Sequence, residues 1–252
     1  MIIDCHAHIT ENGSWFNTSF DSSVENLLHQ MDQAGIDRSI LLPIKGSVSH
    51  EYISRIVHQY NDRLIGFGSI SVKTWQQDLN DCKRYSFKGV KFHPRLQNET
   101  LLELSEAGVL EELGMNKLTL IICGWQQTSA SRATMKTLTP VVLDTIAKKY
   151  PSVTFIMAHM GGHNFWDAFF CARSNANVFL DCSYFLSFFK NTSLESDFWA
   201  MYKKIDEKVV FGSDFPEISI PEIIQYINTK SIEFGIDTSK LYFANISKIL
   251  GL

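Results

Sequence analysis

A chain of 252 residues with formal net charge −4 and a pI near 6.1 lacks the basic excess of a nucleic-acid-binding surface, which excludes that class of partner at the level of overall charge. Hydrophobic residues make up 45% and charged residues 20% of it, ordinary proportions that exclude a disordered chain, and the lack of any stretch of about 18 uninterrupted apolar residues argues against a membrane span. The length suits the ~250 residues typical of an eight-stranded α/β barrel, so one domain over residues 1–252 is expected.

Short apolar runs alternate with amphipathic stretches along the chain, the pattern of βα units around a parallel sheet. The first predicted strand is Ile2–His8, followed by Glu11–Phe20, a polar and aromatic segment expected to form a long loop. Ser22-x-x-Glu25 reads as a capping box for a helix that places Val24, Leu27, Leu28 and Met31 on one face and stops at Gly35. Strands are predicted at Ser39–Pro43, Leu64–Ser69, Gly89–Pro94 and Leu118–Cys123, and Gln126–Leu138 reads as a second long loop. Thr139-Pro140 opens a helix carrying Leu143, Ile146, Ala147 and Tyr150, ended by Pro151. Strands at Val153–His159, Asn177–Cys182 and Val209–Ser213 bring the count to eight, and Ser219-x-x-Glu222 with Pro221 opens a late helix. The expected fold is α/β, a single (β/α)8 TIM barrel whose two long loops sit on the catalytic rim.

Cysteines at 5, 82, 123, 171 and 182 are odd in number and lack zinc-ribbon or disulfide-framework spacing, so reduced thiols are expected. Met1-Ile2-Ile3-Asp4-Cys5-His6 shows no basic region followed by an apolar run of signal length. A cytoplasmic protein with a small-molecule partner is the expectation.

His6-Ala7-His8 closes the first strand, and the period of two turns both imidazoles to one side, where they can grip one divalent metal ion. His159 follows the run Val153–Met157 and Asp214 follows Val209–Phe211, so polar groups at several strand ends converge on one barrel mouth. Lys91 and His93 share a face of the fourth strand with Arg95 just beyond, and this positive rim points to a small anionic substrate held by carboxylate or phosphate. Trp125, Phe165, Trp166, Tyr184, Phe185, Phe188 and Phe189 follow strand ends and suit either a pocket wall or ordinary packing. His163 is a secondary candidate for substrate contact, while His29, His50 and His58 read as surface residues. Asp4 shares the His6/His8 face at greater depth, where it would support the ligands rather than bind metal.

Five segments together resemble the amidohydrolase-related group that contains small aromatic-acid decarboxylases and lactone hydrolases, over nearly the whole length. They are Ile3-Asp4-Cys5-His6-Ala7-His8, Gly89-Val90-Lys91-Phe92-His93-Pro94, Phe155-Ile156-Met157-Ala158-His159-Met160-Gly161-Gly162, Phe211-Gly212-Ser213-Asp214-Phe215-Pro216 and the terminal Asn245-Ile246-Ser247-Lys248-Ile249-Leu250-Gly251-Leu252. The resemblance implies that His6 and His8 ligate metal, that Asp214 ligates it and relays a proton, and that His159 is a catalytic acid/base or electrophile. It also implies dimers or tetramers.

Family members usually place a metal-binding histidine at the end of the fifth strand, where this chain has Cys123. A thiolate is a competent zinc ligand, and a strand-end cysteine is also a common small buried hydrophobe, so both readings stand. Other branches carboxylate the fourth-strand lysine to bridge two metals; without the fifth-strand histidine, one ion is expected, zinc or manganese in its place. The reading that follows is a metal-dependent hydrolase of a lactone, ester or amide, or a non-oxidative decarboxylase. A metal-free barrel that binds an anionic ligand is the alternative of a different class, and a metal-dependent phosphoesterase is the further one.

Overall fold

The computed structural model describes residues 1–125 and 140–252. Its strands are β1 (Ile3–Ala7), β2 (Arg38–Leu41), β3 (Leu64–Gly66), β4 (Gly68–Ser69), β5 (Gly89–Phe92), β6 (Thr119–Ile122), β7 (Phe155–Met157), β8 (Val178–Asp181) and β9 (Val209–Val210). Every paired strand runs parallel to its neighbour, in the orders β1-β2-β3 and β4 through β9. The strand expected at Leu64–Ser69 is therefore in two pieces meeting at Phe67, whose N–H donates to Leu41 O at 3.2 Å.

Backbone bonds close the cylinder between its first and last strands. Cys5 N donates to Phe211 O at 2.9 Å, Asp214 N to His6 O at 2.9 Å and His8 N to Phe215 O at 2.8 Å. The wall alternates as parallel strands must. Ile40, Ile65, Ile121, Ile156 and Val210 pack in one apolar cluster, whereas their strand neighbours Leu41, Leu64, Leu120, Phe155 and Val209 pack with helix residues such as Leu27, Ile53 and Leu143 in another. The first cluster is the barrel interior and the second the layer beneath the helices. Val90 and Phe92 belong to the helix-side layer, so Lys91 between them faces inward.

The first helix spans Val24–Ala34, with Ser23 as its cap accepting from Asn26 N and Gly35 at φ 67° ending it. The cap is one residue later than expected because the Ser22 hydroxyl is already paired with Thr10 Oγ1 at 2.6 Å. Pro140–Lys149 and Ile220–Phe234 are helices as expected, although Ser219 caps the latter without a side-chain bond. Thr139 and the loop Gln126–Leu138 lie outside the described residues. Among the described residues no helix is long and apolar enough to cross a membrane.

His50 departs from its surface assignment. It begins the helix His50–Gln59, but its ring is only 8% exposed and its Nε2 accepts from Ser69 N at 2.8 Å, with Asp81 Oδ2 3.2 Å from Nδ1. Gly68 makes this position available, since a Cβ there would lie 3.3 Å from His50 Nε2 and 2.6 Å from Cys82 Sγ. His29 and His58 are exposed, as expected.

Candidate active site

His6 lies in β1 and His8 just past its end, with their Nε2 atoms 3.1 Å apart. Each ring is oriented from behind. His8 Nδ1 lies 2.6 Å from Leu42 O, a carbonyl that can only accept, so Nδ1 carries the proton and Nε2 presents a lone pair. His6 Nδ1 lies 2.5 Å from Asp181 Oδ2, which assigns the same tautomer. Gly212 leaves room for this pair: a Cβ on it would stand 2.6 Å from Asp181 Oδ1 and 2.7 Å from His6 Cβ.

Asp214 completes a group of three. Its Oδ1 is 3.3 Å from His6 Nε2 and 3.7 Å from His8 Nε2, and the donor atoms of His6, His8 and Asp214 all lie within 4.8 Å of one another. A left-handed backbone at Asp214, φ 66°, turns the carboxyl back toward β1. Asp4 fixes the residue before it, accepting from Ser213 N at 2.8 Å and from Ser213 Oγ at 2.6 Å. Asp4 thus supports the site at depth, as its place on β1 implied, and burial pushes its carboxyl up to about 7.

Burial, joined by Lys91 and His8, holds His6 well below the usual imidazole range. Burial, then Lys91, lowers His8 to about 3. Burial, followed by the nearby Glu217, holds the Asp214 carboxyl well above its ordinary range. Two neutral imidazoles thus aim lone pairs at each other across 3.1 Å beside a carboxyl oxygen, an arrangement that repels itself unless a cation or proton sits between. The donor set fits a divalent ion on this ground. Two imidazole nitrogens and a carboxylate oxygen are the ligand types and the number of a catalytic zinc site with an open position.

Lys91, 1% exposed, brings Nζ to 3.0 Å from His6 Nε2, and burial lowers its ammonium from the ordinary lysine value. His93 caps the short helix Pro94–Gln97, its Nδ1 accepting from Leu96 N at 3.4 Å, which leaves the proton on Nε2. Arg95 and Trp125 line the same cavity of about 560 Å³ as Lys91, His93 and the ligand group. Cys123 also reaches its wall, with Sγ directed to Trp125 O at 3.9 Å, and burial raises its thiol. It stands outside the group formed by His6, His8 and Asp214.

His159 lies beyond β7 rather than on it, in a left-handed turn with φ 58°. Its Nδ1 is 3.0 Å from Ser183 O, so Nε2 is the acceptor, and burial, then His6 and Lys91, hold the ring well below the usual imidazole range. With its proton on Nδ1, the neutral ring presents Nε2 as a hydrogen-bond acceptor, and its lowered pKa makes it a weak base. Among the aromatic candidates, Trp125, Tyr184 and Phe188 line the cavity. Phe165 and Phe185 are core residues, whereas Trp166 is 42% exposed. His163 is exposed and is not on the cavity wall.

Sequence reading missed Asp181, Ser183, Trp15 and Glu217. Asp181 carried a signal, a lone acid ending the apolar run Val178-Phe179-Leu180. Ser183 supports it, donating from N to Asp181 Oδ1 at 2.6 Å and from Oγ to Oδ2 at 2.9 Å. Replacing Asp181→Asn removes the charge behind His6 and is expected to weaken divalent-ion affinity about 10–100-fold. Competition with a chromophoric chelator measures this, and unchanged affinity would deny Asp181 its positioning role.

Residues 3–228 match the family model described as Amidohydrolase. The chain belongs to the amidohydrolase family. No curated protein matches this amidohydrolase at a significant level. Solved structures share its fold. An uncharacterised TIM-barrel protein from Bordetella bronchiseptica superposes with TM-score 0.82 at 16% identity, covering 99% of this chain and 98% of that one. A 5-carboxyvanillate decarboxylase from Novosphingobium aromaticivorans, complexed with manganese and 4-hydroxy-3-methoxy-5-nitrobenzoic acid, gives 0.75 at 14% identity over 100% and 96%. A probable 2-pyrone-4,6-dicarboxylic acid hydrolase from Acinetobacter baumannii with citric acid bound gives 0.73 at 15% identity over 100% and 99%. At these identities the likeness shows a TIM barrel, and the chemistry has to come from this chain's own residues.

Proposed function

We propose that this amidohydrolase is a metal-dependent enzyme that hydrolyses a lactone, ester or amide, or removes carbon dioxide without oxidation, from a small anionic carbon compound. One observation carries the reading: three convergent donors, His6, His8 and Asp214, share a cavity with Lys91, His93 and Arg95. His6, His8 and Asp214 would hold one divalent ion, zinc or manganese in its place. When bound, such an ion supplies Lewis acidity, drawing electron density from a substrate oxygen or a water.

The chain's own groups do the rest. Lys91 and Arg95 attract a carboxylate, with Arg95 suited to a two-point grip. His93 offers its Nε2 proton to a substrate oxygen, and Trp125 covers the apolar part of the substrate. Asp214, its proton displaced by the ion, is placed to receive a proton at the reacting atom and pass it on. His159 offers its Nε2 lone pair as a hydrogen-bond acceptor that orients the substrate or a water. Both reactions place developing negative charge where Lys91 and the ion site meet.

Metal analysis of protein purified without chelator is the test, with turnover then measured on panels of small lactones and aromatic carboxylates. About one divalent ion per chain is expected, together with chelator-sensitive ring opening or carbon dioxide release, and the product distinguishes the two reactions. A Cys123→Ser variant in the same analysis shows whether the thiol joins the ligands. Protein that takes up no zinc or manganese would support the metal-free binding barrel instead.

A further inference from the structure

Trp15 and Glu217 line the cavity but belong to neither the ligand group nor the cationic wall. Trp15 is 5% exposed and stacks on His8, with ring centroids 5.0 Å apart and 22° between planes. Phe16 packs edge-on against it at 4.7 Å. The indole Nε1–H donates to Glu217 Oε1 at 2.8 Å, which ties the loop after β1 to the turn after β9. In that turn Glu217 N donates to Asp214 O at 3.0 Å.

Charge is ordered through the cavity. Lys91 is buried at 1% exposure, whereas Glu217 is exposed, so an anion stands at the opening and the lysine ammonium lies within. Trp15 and Phe16 from the loop after β1, with Trp125, Tyr184 and the helix residue Phe188, give the cavity aromatic walls suited to a flat ring.

We propose that Trp15 and Glu217 together determine specificity: the indole, stacked on His8 and tethered by Glu217, fixes one wall of the pocket that takes the ring of a planar monocarboxylate, and the Glu217 carboxylate turns away a second negative charge at the opening. This rests on the reading of the cavity as a site for small anionic substrates. A ring bound with its carboxylate toward Lys91 and Arg95 directs a second, meta carboxylate toward the opening. Repulsion between two such charges at about 6 Å, partly screened by water, corresponds to a discrimination of about three- to tenfold.

Isothermal titration of the zinc-loaded protein with benzoate and with isophthalate, its meta dicarboxylate, reads this directly. Benzoate is expected to bind about three- to tenfold more tightly. Glu217→Gln, which removes the charge but keeps an oxygen to accept from Trp15, should abolish the preference. Trp15→Phe, which keeps a ring beside His8 but cuts the tether, should weaken both probes while preserving their ratio. Isophthalate binding as tightly as benzoate, a preference that survives Glu217→Gln, or affinities untouched by Trp15→Phe would overturn the inference and leave the proposed function standing. Failure of both probes to bind the wild-type protein would overturn the inference and the anionic-substrate reading together.

Discussion

The His6→Ala protein is expected to keep its barrel and to lose stoichiometric binding of a divalent ion. The substitution takes away one of the three convergent donors found among the described residues while leaving the fold a way to cope. Asp181 still accepts from Ser183 N and Oγ, so no buried carboxylate is left without donors. With two donors remaining, a site that needs about three protein ligands falls below the minimum. Metal analysis after dialysis should find roughly one ion per chain in the wild-type protein and almost none in the variant, with turnover lost in parallel. Unchanged circular dichroism would show that the loss is local. Full metal content in His6→Ala would sink the proposed ligand set.

Asp214→Asn is expected to lower turnover by about 10²–10⁴-fold, the range typical of losing a positioned acid or base, and to alter how ion binding responds to pH. The sign follows from the direction of each shift. Burial and Glu217 hold the Asp214 carboxyl well above its usual range, so without an ion it retains its proton as pH rises toward neutrality, and a cation must displace that proton. His6 and His8 are held down, His8 to about 3, and are already neutral, so they release none. Ion affinity of the wild-type protein should therefore climb as pH rises from acid toward the raised Asp214 value, with proton release on binding. Asparagine has no proton to give, and the climb should flatten. Titration calorimetry in two buffers of different ionisation enthalpy counts the protons; equal release by both proteins would move the titrating group away from Asp214.

Much of the site was legible because strand periodicity is a strong local signal. His6 and His8, two residues apart, face one another's side in the sequence and in the fold, and Lys91 falls inward because Val90 and Phe92 must cover helices. Asp214 and His159 were found by a different route, as polar residues ending apolar runs. Their backbones then leave the strand for left-handed turns, which periodicity cannot express and which decide where each side chain aims. The cap shifted from Ser22 to Ser23 because a competing hydroxyl, Thr10, is distant in the helix pattern but adjacent in space. His50 was misplaced for a related reason, since a helix-start histidine says nothing of Gly68, eighteen residues later, that makes room for it.

By itself, then, the amino-acid order determined the barrel, the inward faces of its strands and the set of chemical groups gathered at its rim. Each of these follows from alternation and from where apolar runs stop, which are properties of neighbouring residues. The tertiary structure alone decided that Asp181 holds His6, that Leu42 sets the tautomer of His8, and that Trp15 is tethered by Glu217. Those are contacts between atoms far apart in the chain. They exist only once closure of the cylinder has fixed the register of every strand, and no local pattern encodes that register.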